Sequence, residues 1–141
     1  MKYTIRNMLI ALVVCSIVAA IVASVMRSQA RNADEELQVT VAFLVCDYLF
    51  ASANEWPPDW EALKPHFVAR FKNNPDFEFD HIMQHVDLDF DIDGPALMGI
   101  AINVDKSRAF RAIRSKSSFD EYRETDPNQI VLDHFRHIIS H

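Results

Sequence analysis

Two sets of side chains in this sequence have the types and spacing for metal chemistry. The first is Asp89-Phe90-Asp91-Ile92-Asp93-Gly94, which matches the opening half of a calcium loop, D-x-D-x-D-G. A hard cation needs several carboxylate oxygens on one concave loop, and Asp89, Asp91 and Asp93 supply three. The closing glutamate of such a loop would fall at Ile100, Pro95 follows the glycine, and Phe90 and Ile92 are apolar where the loop is ordinarily polar. The second set is His81 and His85, spaced i, i+4 so that a helix puts both on one face, as zinc ligands can be. Ile82 follows His81, so the general-base glutamate of H-E-x-x-H is missing. His134, His137 and His141 share a face of the last helix and complete a site only if the two faces meet. A strand explains the alternating aspartates better, and surface positions in an acidic domain explain the histidines. Calcium or zinc at Asp89, Asp91, Asp93, His81 and His85 is therefore the alternative function, and the leading expectation has no cofactor.

No other constellation points to catalysis, and no catalytic residue is assigned. With Gly94 and Gly99 as the only glycines, a phosphate-cradling loop is excluded, and no G-x-S-x-G occurs. Cys15 lies in an apolar run and Cys46 lies 31 residues later on what reads as the same helix, too far away for a bridge. Both read as small buried hydrophobes, and Cys46 has no activating neighbourhood in view. The expectation is a protein that is not an enzyme.

The elements that position these residues begin with Met8 to Met26, 19 residues without a charge, Gly or Pro. A helix of that length spans about 28 Å, close to the ~30 Å hydrocarbon core of a bilayer. Lys2 and Arg6 precede it; Arg27 and Arg31 follow. A cleaved signal would have a shorter apolar core, although Ser28-Gln29-Ala30 offers a cleavage-type triplet. A lipoprotein would use Cys15, but Val14 is too large for the residue before it and the apolar stretch runs on to Met26. An uncleaved anchor fits best, and the margin of Lys and Arg puts the N-terminus in the cytoplasm. From Met8 to Ser52 there is still no Gly or Pro. Leu37, Val41, Leu44, Val45 and Tyr48 form an amphipathic face, with Val39, Phe43, Cys46 and Phe50 as a second stripe. A second span is the rival, but Asp47 and a run of about 15 residues favour a core helix. One long helix, lipid-facing below and core-facing above, is expected to end at Asn54-Glu55-Trp56-Pro57-Pro58.

Beyond the anchor, residues 27–141 carry 12 basic and 20 acidic residues, a formal charge of −8. No basic cluster is present, which argues against nucleic acid and anionic membrane surfaces as partners. Ten Phe in the chain supply a real core. Asp59 to Lys64 reads as a short helix stopped by Pro65, with Trp56, Trp60 and Leu63 docking on the long helix rather than forming a ligand platform. Phe77 to His85 leans to helix. Val86, Leu88, Phe90 and Ile92 then alternate with Asp87, Asp89, Asp91 and Asp93, a half-buried strand with an acidic outer face. Asp93-Gly94 marks a turn, and Met98, Ile100, Ile102 and Val104 alternate as a second strand. Phe110 to Arg114 is a third, with Arg108, Arg111, Arg114 and Lys116 facing the aspartates. Asp126 caps a final helix with Pro127 first, Gln129 completing a capping box, and Val131, Phe135 and Ile138 buried.

The order of basic N-terminus, apolar span, amphipathic continuation, Trp56-Pro57 loop and short helix with Leu63 resembles the layout of type IV pilin-like and pseudopilin proteins. The chain is also similar to small bitopic bacterial membrane proteins with a W-P-x-x-W-x-x-L element, here Trp56 to Leu63. The pilin resemblance implies an envelope assembly. No Gly precedes Met8 and Leu12 stands where the fifth-position glutamate belongs, so no pilin functional residue is carried over. The expected architecture is α+β: a long N-terminal helix, transmembrane then amphipathic, packed on a small antiparallel sheet with short helices and a C-terminal helix. Its divisions are a basic segment 1–7, a transmembrane helix 8–26, a continuation 27–54 and a small domain 55–141. The expected function is a single-pass protein of the bacterial plasma membrane, held in the bilayer through Met8–Met26. Its acidic domain lies outside the cytoplasm and binds a protein partner or self-assembles.

Overall fold

The computed structural model describes residues 4–74, 77–117 and 125–140. The chain divides into two compact units, Met1–Ala33 and Asp34–His141. Helix α1, Thr4–Ala51, provides the whole described part of the first unit and opens the second. In the first unit every large apolar side chain from Leu9 to Met26 is 50–66 % exposed. The Ser16 hydroxyl donates to the Leu12 carbonyl one turn back (2.8 Å), which satisfies a polar group inside the apolar run. Among the described residues α1 is the one helix long and apolar enough to cross a membrane.

The second unit is built on the last turns of α1. Leu37, Val41, Leu44, Val45 and Leu49 are buried there, and their burial stabilises the fold by about 1.5–3 kcal/mol each. Tyr48 is only partly covered, while Phe43 and Phe50 are exposed. The helix ends at Ala51, before the prolines. The Asn54 N–H donates to the Leu49 carbonyl (2.8 Å), and Ala53 and Asn54 take left-handed φ values of 56° and 70°.

Helix α2 is Trp60–Phe71, with the Asp59 carboxylate accepting from the Ala62 N–H (2.9 Å). It runs through Pro65 rather than stopping there. Pro65 and Glu61 are both exposed, so the carbonyl freed by the missing proline N–H stays in water, while Leu63 and Phe67 bury the opposite side. Trp60 packs edge-on against Phe79 and Phe90, and Phe67 contacts Phe71, Phe77 and Phe79. The two tryptophans thus serve packing: Trp56 is buried and its indole N–H donates to the Asp89 carbonyl (2.9 Å).

Helix α3, Phe79–His85, leads directly into β1, Val86–Leu88. The sheet has two antiparallel strands, β1 and β2 (Ile113–Ser115), in the register Val86↔Ser115, Asp87↔Arg114 and Leu88↔Ile113. Asp87 and Arg114 form the expected cross-strand ion pair (3.5 Å). Arg111 turns instead to Asp126 (3.6 Å), and Lys116 Nζ donates to the Met83 carbonyl. The first strand is shorter than the aspartate alternation predicts. The Asp91 N–H donates to Asp89 Oδ1 (3.0 Å), and this turn takes the chain out of the ladder before Phe90 and Ile92 can join it.

The expected second strand is two helices, α4 (Gly94–Ile102) and α5 (Val104–Ala109). Residues 96–102 are apolar at nearly every position, so a period of two fits them no better than a helical one. Leu97 and Ala101, one turn apart, are the buried pair; Met98 and Ile102 are exposed. Gly94 opens α4 because a Cβ there would lie 3.0 Å from the Asn54 carbonyl oxygen. The Asn103 side chain caps α5 by accepting from the Lys106 N–H (3.0 Å).

Helix α6, Pro127–Ile139, is capped by Asp126 as its sequence predicts. Its buried apolar residues are Val131, Leu132 and Phe135, whereas Ile138 is 37 % exposed. Gln129 does not close a capping box: its amide donates to the Ser107 carbonyl (2.8 Å), tying α6 to α5. Arg136 Nε donates to the Ala101 carbonyl (2.8 Å) at the C-terminal end of α4, where a cation is favourable. The architecture is mostly helical with one small antiparallel sheet, compatible with an α+β class.

Candidate functional site

The loop from Asp89 to Asp93 joins β1 to α4, and a cleft lies on each side of it. The first, about 380 Å³, is lined by Ile92, Ile100, Phe110 and Ala112 together with Asp89, Lys106 and Arg111. The second, about 410 Å³, is lined by Asn54, Glu55, Trp56, Asp93, Pro95 and Met98, with Ile92 shared between them. Their positions follow from local structure. Ile92 follows the turn at Asp89–Asp91 and lines both clefts, and the Trp56 indole holds the Asp89 backbone in place. Concave apolar surface with a few polar groups is the ordinary form of a small-ligand site.

The candidate metal residues are distributed rather than gathered. Asp89 is half-buried beside the first cleft, with Oδ1 engaged by the Asp91 N–H. Asp91 is exposed, and Asp93 is exposed at the start of α4 beside the second cleft. His81 and His85 do share a face of α3, with ring centroids 4.3 Å apart. His85 Nδ1 lies 2.8 Å from the His81 carbonyl, the hydrogen bond of an Nδ1–H tautomer. Among the described residues, no three His, Cys, Asp or Glu side chains converge as ligands. His141 lies outside the described residues.

Two further clusters were not legible in the sequence. Asp34 is buried (8 % exposed), and its Oδ2 accepts from the hydroxyls of Ser115 and Ser117. These two serines are 2.7 Å apart, so the carboxylate fastens α1 to the end of β2. On α6, the amide of fully buried Asn128 accepts from the Ile113 N–H (2.8 Å) and donates to the Ile113 carbonyl (3.0 Å). In this register Ile113 directs both groups away from β1, so one side chain satisfies the outer edge of the sheet at that residue.

Two titrating side chains are perturbed. Burial, then the neighbouring Asp47 carboxylate, pushes the Cys46 thiol up to about 11, with Arg70 opposing. The thiol stays protonated at neutral pH, 4.0 Å from the Ile130 carbonyl, in keeping with a packing role. Burial, then the nearby His137, lowers the His134 pKa below its usual 6.5; the ring nitrogen Nε2 is 3.3 Å from Asn54 Oδ1.

No protein family, curated protein or solved structure matches the chain.

Proposed function

We propose that this chain is a non-catalytic, single-pass protein of a bacterial plasma membrane, whose acidic unit binds a protein partner or takes part in an envelope assembly. The observation that carries it is the exposure of every large apolar side chain from Leu9 to Met26. Water is a poor solvent for such a surface, and lipid is the medium that removes the penalty. On the folded unit, Phe50 is 85 %, Ile102 67 % and Val104 61 % exposed, apolar side chains of the kind that partner surfaces cover. The pilin-like order of segments supports the assembly side of the reading. Lys2 and Arg6 keep the N-terminus in the cytoplasm, with the acidic unit outside.

Crosslinking in native membranes followed by mass spectrometry tests the proposal. A reproducible partner or self-adduct through the second unit is expected, and recovery of the lone monomer alone counts against it. Accessibility of cysteines introduced near Lys2 and near Arg27 to an impermeant thiol reagent tests the orientation. Labelling near Arg27 but not near Lys2 in intact cells is the expected result.

A further inference from the structure

We propose that the first cleft beside the Asp89–Asp93 loop binds a small amphipathic carboxylate, an apolar body carrying one anionic head. The walls are apolar: Ile92, Ile100 and Phe110 are half-buried, so each presents part of its side chain to the cleft. The charged lining is Lys106, Arg111 and Asp89, and Asp126 pairs with Arg111 (3.6 Å), so the charges at the opening balance. Residues 27–141 carry −8 as a whole, so a balanced opening with two cations is not a sample of the general surface.

The donors are available. Lys106 uses its backbone N–H to cap α5, and its ammonium group has no ion-pair or hydrogen-bond partner among the described residues. Arg111 commits Nη1, to the carbonyls of Arg108 and Phe110 and to the Asp126 carboxylate 3.6 Å away. Its Nη2 and Nε have no hydrogen-bond partner among the described residues. Asp89 keeps its negative charge on the same opening, with Oδ1 accepting the Asp91 N–H. A carboxylate between an ammonium and a guanidinium makes charge-assisted hydrogen bonds, and the apolar body leaves water against Ile92, Ile100 and Phe110. The second cleft has nearly the same volume and apolar content, but its charged lining is Glu55 and Asp93. It repels the same ligand and serves as an internal contrast. This inference is independent of the partner proposed above.

The test is isothermal titration of the full chain in lipid nanodiscs with 4-phenylbutyrate, empty nanodiscs subtracted. A ligand of this size at ordinary efficiency binds with a Kd of about 1 mM. Lys106→Gln, an exposed substitution that leaves the fold intact by circular dichroism, is expected to weaken binding about fivefold or more. The alcohol and amine of the same carbon skeleton are expected to bind much more weakly. Absence of heat from the acid up to about 10 mM overturns the proposal. So does an alcohol or amine that binds as tightly as the acid, or an unchanged Kd in Lys106→Gln.

Discussion

At the residue scale the second unit depends on a few polar side chains placed where apolar ones would be expected. Asn128 is the clearest. Replacing it with Ala leaves the Ile113 N–H and carbonyl buried and unpaired, each at about 1–3 kcal/mol. Asn128→Ala is therefore expected to lower the stability of the unit by about 2–4 kcal/mol, read as a fall in Tm of more than about 8 °C. His134 makes the unit sensitive to acid. Its folded pKa lies below the usual 6.5, so the unfolded chain takes up the proton first. Its contribution is complete above pH 6.5, declines as pH falls from there through the folded pKa, and is flat below that. Melting curves at pH 7.5 and pH 5 should show a drop that His134→Gln reduces. Neither residue announces its role in the sequence. Asn128 looks like an ordinary first-turn residue of a helix, and only the approach of β2 from 15 positions away gives it partners.

Among the elements, legibility followed the strength of the local signal. Helix α6 was readable because Asp126 and Pro127 supply a cap and a first turn that no distant contact has to supply. The upper part of α1 was readable because its apolar positions recur with a helical period. The strand expected at 98–104 failed because that stretch is apolar nearly throughout, and Pro95 at the start of α4 was the better guide. Pro65 was a misleading stop: a proline whose preceding turn faces water can be carried when the other face is buried. The end of α1 carries a prediction of its own. Ala53 sits at φ 56°, a conformation costing an L-residue roughly 1–2 kcal/mol, only part of which glycine returns to the flexibility of the unfolded chain. Ala53→Gly is expected to stabilise the second unit by about 0.5–1 kcal/mol, seen as a rise of several degrees in Tm.

At the scale of the whole molecule, the two units differ in what they expose. The large apolar side chains from Leu9 to Met26 are exposed, while the second unit buries a conventional core around Leu44, Leu49, Leu132 and Phe135. A double substitution, Val14→Lys with Val18→Lys, places two charges in the apolar run at about 2.5–3.5 kcal/mol each. It is expected to release the chain from membranes on carbonate extraction while leaving the melting of the second unit unchanged. The clefts could not be read from the sequence. The sequence offers Asp89 as a candidate metal ligand and Arg111 as a partner for the aspartates, and only the turn at Asp91 and the capped α5 bring them to one opening with Lys106. The Asn128–Ile113 pairing limits how any macromolecule can dock. An extended peptide that tried to lengthen the sheet beside β2 would find the hydrogen-bonding groups of Ile113 already taken by a side chain of the same protein. Recruitment by β-augmentation is blocked at that residue, and so is the edge-to-edge stacking that seeds aggregates, which leaves recognition there to side chains alone.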